Sequence, residues 1–99
     1  MKELLNTCKT ALRMNNYHFD EEILDEVEAC LKDLEISGVA SSMIKESDPL
    51  IKQAVKIYVK AHFGFDNTES EKLKESYQLL KQHLAIAYAT DEGGENAIP

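Results

Sequence analysis

Between Asp48 and Asn67 the chain carries a helix start, an amphipathic face and a helix stop in direct succession. Asp48 suits an N-cap, because a short carboxylate accepts from the orphan N–H groups of a first turn. Pro49 suits the first helical position, where its missing donor leaves nothing unpaired. Ile51, Val55 and Tyr58 recur at helical spacing, and Gly64 takes at little cost the left-handed conformation that ends a helix. A segment punctuated at both ends in this way is committed to helix, which limits the folds open to a chain of 99 residues.

The remaining segments repeat the pattern. A first helix over about Lys2 to Met14 places Leu4, Leu5, Cys8, Ala11 and Leu12 on one face, and Asn15-Asn16 ends it. A second runs from Asp20 to about Glu35, with Ile23, Val27, Cys30, Leu31 and Leu34 inward. Asp20, Glu21 and Glu22 sit in its first turn, where the helix dipole favours negative charge, and Gly38 is its stop. Residues 37–47 read as a connector in which Met43 and Ile44 pin the chain to the core and Val39 to Ile44 extends briefly. The fourth helix begins after Asp66-Asn67, with Thr68 and Glu71 at capping-box spacing and Ser70 as a competing cap, and reaches about Ala89. Leu73, Tyr77, Leu80, Leu84 and Tyr88 form its buried face, leaving Glu69, Lys72, Lys74, Glu75, Lys81 and Gln82 in water.

The pattern predicts one all-α domain over residues 1–89, a small single-domain bundle of about four helices. Its core draws on Leu5, Leu12, Ile23, Val27, Leu31, Ile51, Val55, Tyr58, Tyr77, Leu80 and Leu84. Residues 90–99 lack the apolar area needed to offset ordering them and read as a flexible acidic tail. At this length a folded monomer buries about two-thirds of the surface its unfolded chain exposes, so the core is small. Hydrophobic residues at 43 % and charged residues at 29 % exclude wholesale disorder. No apolar run approaches a membrane span, and the opening Met-Lys-Glu-Leu-Leu lacks the pattern of a secretory signal, so the expectation is a cytosolic protein.

Catalysis has little to stand on. His18, His62 and His83 fall on a loop and two different helices, without the spacing of a zinc motif or a paired carboxylate. Packing of the third and fourth helices antiparallel would allow His62 and His83 to approach one another, against the plainer reading of histidines at the edge of a core. Cys8 and Cys30 lie on apolar faces, where a reduced thiol acts as a small hydrophobe and a raised pKa leaves it inert. The four glycines make no phosphate-cradling loop, and the aromatic residues have no basic partners interleaved to form a base-stacking platform. The expectation is therefore no enzyme, no cofactor and no metal. A net charge of −7 also opposes sequence-specific DNA binding.

Charge is segregated between two helices. Lys52, Lys56 and Lys60 lie at i, i+4, i+8 and form a positive stripe on the third, whereas Glu21, Asp25 and Glu28, beside Glu22 and Glu26, make the second strongly negative. The stripes read as two solvated faces, or as surfaces that meet between subunits in a head-to-tail ring. A third reading places the lysines along a channel, touching DNA phosphates weakly and in a salt-sensitive way.

Four segments resemble one family. The Asp48 to Asn67 run, with its Pro-led helix ending in Ala-His-aromatic before an Asp-Asn turn, is similar to that of the head–tail connector proteins of tailed phages, often labelled DNA-packaging proteins. Leu4 to Met14 resembles their first helix, Phe19 to Ile23 the acidic start of their second, and Ile36 to Val39 the turn that follows. The order and chain length agree over about residues 2–89, whereas Phe63-Gly64-Phe65 and the Gly93-Gly94 tail depart from many members. The resemblance implies a bacteriophage or prophage structural protein that forms a homo-oligomeric ring below the portal, around the DNA passage, and joins head to tail. Its implied partners are portal and tail-side neck proteins, and its implied location is the host cytoplasm during assembly and then the virion neck. The competing class is a small acidic adaptor or regulatory protein of the cytosol that binds a partner protein through a helical face.

Overall fold

A computed structural model of the chain describes residues 1–63 and 68–90. The described residues form four α-helices, α1 (Lys2–Leu12), α2 (Asp20–Ile36), α3 (Pro49–His62) and α4 (Thr68–Ala87), with a short 3₁₀ turn at Ser41–Met43. The expected all-α bundle is what the chain adopts. The glycine stop at Gly64, the Asp66-Asn67 turn and the tail from residue 91 onward lie outside the described residues.

Each helix ends for a local reason. Asp48 Oδ1 accepts from the N–H groups of Leu50 at 2.8 Å and Ile51 at 3.2 Å, and Pro49 occupies the first turn of α3. α2 stops at Gly38, whose φ of +112° suits only glycine well; its N–H bonds to the Glu35 carbonyl and that of Val39 to the Leu34 carbonyl. The same paired arrangement closes α1, with Arg13 N–H on Thr10 and Met14 N–H on Lys9. Here, however, the left-handed residue is Arg13 at φ +60°. α1 therefore ends two residues short of the expected Met14, before the Asn15-Asn16 pair is reached.

α1 has no side-chain cap of its own. Glu46 supplies one from the connector, its Oε1 accepting from the N–H groups of Glu3 at 3.1 Å and Leu4 at 3.2 Å. Ser70 is not the competing cap expected of it. It sits inside α4, buried, and its hydroxyl donates to the Ala61 carbonyl of α3 at 3.2 Å.

α3 is the central helix and packs against the other three. Leu4, Cys8, Ile23, Val27, Cys30, Leu34, Ile51, Val55, Val59 and Leu84 are fully buried around it. Of the expected core, Leu5, Leu12, Leu31, Tyr58 and Leu80 are only partly buried and pack on its margin. Contacts at successive levels fix the directions of the helices. Glu3 and Lys52 meet at the start of α1 and α3, which run parallel, whereas Tyr88 meets Asp48, so α4 runs antiparallel to α3. Val39 is buried and forms one isolated antiparallel bridge to Ala89, which ties the connector to the end of α4.

Candidate functional site

The lysine stripe sits on the side of α3 that faces α1. Lys52 Nζ lies 2.7 Å from Glu3 Oε2, and its charge is met within the subunit. Lys56 is half-buried and borders a shallow depression of about 440 Å³ with Glu3, Asn6, Thr7 and Thr10. Lys60 is exposed. Glu21, Asp25 and Glu28 are all exposed along α2, so the acidic face is open to solvent as a whole. Among the described residues no ion pair joins the lysine stripe to the acidic face within one subunit.

α2, Asp25 included, also borders two adjoining hollows that share His62. The first, of about 510 Å³ between α2 and the α3–α4 pair, is lined by Lys32, Asp33, Tyr58, Tyr77 and Lys81 among others. Its floor is a polar cluster in which Asp33 Oδ2 accepts from the Tyr77 hydroxyl at 2.7 Å and from Lys81 Nζ at 3.0 Å. The Lys81 ammonium also lies 5.4 Å from the centre of the Tyr77 ring. Lys81 is thus not among the wet residues of α4, as its neighbours in sequence suggest; its partner is 48 positions away. Burial, then the neighbouring Cys30 and Asp33, pushes the Tyr77 phenol above its ordinary range.

The second hollow, of about 520 Å³, has an apolar floor of Met14, Phe19 and Phe63 and an acidic rim of Glu22, Asp25 and Glu26. Phe19 and Phe63 meet edge to face at 5.6 Å, which sets that floor.

The thiols and histidines supply no reactive pair. Cys8 and Cys30 are free and buried; desolvation raises Cys8 to about 11, opposed by Lys56, and Cys30 to about 12, opposed by its contact with Tyr77. His62 stacks on Tyr58 at 4.2 Å, and its Nδ1 lies 2.8 Å from the Tyr58 carbonyl. His83 instead borders an apolar hollow of about 370 Å³ with Leu50 and Leu84, at the opposite end of α3. Leu50 and His62 are 12 residues apart on one helix, about 18 Å, so the antiparallel packing separates the two histidines. Among the described residues no group of three His, Cys, Asp or Glu side chains is arranged to hold a metal ion. No helix among them is long and apolar enough to cross a membrane.

Fold and surface together define a small all-helical module whose distinctive features are charged and apolar faces. Residues 4–91 match the family model described as phage connector protein, and the chain belongs to that family. The match spans all four helices, and the family is a structural one. Neither a search of curated proteins nor one of solved structures returned a match.

Proposed function

We propose that the protein is a structural subunit of a tailed-phage neck, which assembles as a ring below the portal, around the DNA passage, and joins head to tail. The observation that carries this reading is the family match over residues 4–91, which covers the helical domain but for the first two residues of α1. The ring contact is head-to-tail: the α3 side bearing Lys52, Lys56 and Lys60 approaches the acidic α2 side bearing Glu21, Asp25 and Glu28 on the next subunit. Two features support it. Glu21, Asp25 and Glu28 are all exposed, and among the described residues none of them has a cationic partner. Exposed pairs are worth only about 0.2–1 kcal/mol each, but a closed ring repeats them at every interface, and apolar contacts supply the rest. Portal and tail-side neck proteins are the neighbours, DNA passes without being read, and the subunit moves from the host cytoplasm into the virion neck.

Deleting the coding sequence from a phage that carries it tests the reading. The expected result is full heads and separate tails, restored to joined particles by the protein supplied in trans. Normal joining in its absence would refute it. Electron microscopy of the purified protein mixed with portal should show rings.

A further inference from the structure

The exposed side of α2 has a charge pattern with an internal symmetry. Glu22, the adjacent pair Asp25 and Glu26, Ala29, Lys32 and Ile36 succeed one another a helical turn apart, at three- and four-residue spacing, so they share one stripe of the helix. Three carboxylates precede Ala29, and a cation and a large aliphatic side chain follow it. Ala29 is exposed, the Lys32 side chain is 70 % exposed, and Ile36 is 77 % exposed although it is a large hydrophobe on an ordered helix.

We propose that this stripe is the contact surface of a two-fold pair of the chain, in which the α2 helices of two copies cross antiparallel at Ala29. A surface complementary to the stripe must present its cation opposite the carboxylates and its carboxylates opposite the cation. α2 itself, turned end for end, is such a surface. About a centre at Ala29, Lys32 of each copy falls opposite Glu26 of the other, both three residues from the crossing. Ile36 falls opposite Glu22, both seven residues away or about 10 Å along the axis. Glu22 stands on the rim of the hollow floored by Met14, Phe19 and Phe63, so Ile36 enters an apolar site. Asp33, which falls opposite Asp25, is already compensated by Lys81 and Tyr77 of its own subunit. The small side chain at the crossing lets the axes come near the lower end of usual helix–helix distances, about 8 Å. A parallel crossing stacks like charges and is selected against.

This pair does not depend on the ring reading. It uses Asp25, as the proposed ring contact does, so the two arrangements exclude one another and the pair is the form of the free protein.

Sedimentation equilibrium of the full chain from micromolar to millimolar concentration is the first test, and a reversible monomer–dimer equilibrium is expected. Ala29→Cys then gives a direct geometric readout, because only a two-fold crossing at that point brings residue 29 of one copy against residue 29 of another. Oxidation should convert this variant to a covalent dimer and leave the wild type, whose thiols are buried, uncrosslinked. Lys32→Glu should weaken the dimer by about tenfold or more, and adding Glu26→Lys to it should restore most of the loss. Circular dichroism identifies any variant that fails to fold. A wild type that stays monomeric to millimolar concentration, or self-association with no crosslink through Ala29→Cys, would overturn the proposal.

Discussion

The phenolic hydroxyl of Tyr88 donates a 2.9 Å hydrogen bond to Oδ2 of Asp48, while Oδ1 of the same carboxylate caps the first turn of α3. One side chain thus starts the central helix and fixes the far end of α4, 40 residues later in the chain. Its partial burial disfavours charge, but the bonds from Tyr88, Ile51 and Leu50 outweigh that and hold the Asp48 carboxyl below its ordinary value. The same bond, followed by burial, raises the Tyr88 phenol.

Asp48→Ala removes both functions and is expected to cost about 0.5–2 kcal/mol through loss of the cap alone. Tyr88→Phe leaves the cap intact and should cost less. The pH dependence follows from the sign of the shift. A carboxylate with a depressed folded pKa contributes stability that is complete above its unfolded value, 3.8, and is lost as the pH falls through the lower folded value. Urea titrations of wild type and Asp48→Asn from pH 7 to pH 2 should show the acid loss of stability reduced in the variant.

The closures of α1 and α2 are the same hydrogen-bonded motif with different residues at the left-handed position, Arg13 and Gly38. A Cβ on Gly38 meets no atom within 4 Å, so the effect of Gly38→Ala is one of backbone conformation alone. It should destabilise by about 1–2 kcal/mol. Arg13→Gly relieves the same strain in the other helix and should stabilise by about 0.5–1 kcal/mol, the gain being reduced by the freer unfolded chain. Thermal melts of the two variants should therefore shift in opposite directions.

Cys8 and Cys30 offer a test of the packing around α3. With values raised to about 11 and about 12, both are neutral thiols at pH 8 and should react with a thiol reagent only on opening of the fold, whereas both react at once in denaturant. A raised pKa also means that the stability tied to these groups is complete below the unfolded value of 9.0 and is lost as the pH rises toward the folded values. Denaturant midpoints should fall above about pH 9. Rapid labelling of either native thiol at pH 8 would show that its helix is not packed as described.

Local signals carried most of the fold. Asp48, Pro49 and Gly38 announce helix boundaries through their own stereochemistry, and the burial of Ile23, Val27, Ile51, Val55, Tyr77 and Leu84 follows from spacing along one helix at a time. Side chains whose partners are remote were not legible. Lys81 belongs to a cluster with Asp33, Glu46 caps a helix 42 or 43 positions away, and Ser70 bonds a neighbouring helix. The lysine stripe illustrates the same limit. Its periodicity on α3 was plain, but the pairing of Lys52 with Glu3 depends on the parallel packing of α1, which no pattern within α3 encodes.

That pairing divides the stripe into residues with different expected effects. Lys52 is held at 2.7 Å by Glu3 and its side chain is 34 % exposed, so Lys52→Glu places two carboxylates together at the α1–α3 contact and should reduce monomer stability. Lys60 is exposed and has no ion-pair partner among the described residues, so Lys60→Glu should leave the melting temperature nearly unchanged. If the proposed ring contact is correct, Lys60→Glu should nevertheless impair ring formation, more so at low salt, where exposed charges are least screened. Reversal of the single acidic residue that faces it, tested as Glu21→Lys, Asp25→Lys and Glu28→Lys in turn in the same chain, should then restore part of the loss. Ring yields measured by electron microscopy, with melting curves of the same preparations, separate the two effects. Rings that form normally from Lys60→Glu, at low salt and with an unchanged melt, would exclude the charged α3 face as the ring contact while leaving membership of the connector family untouched.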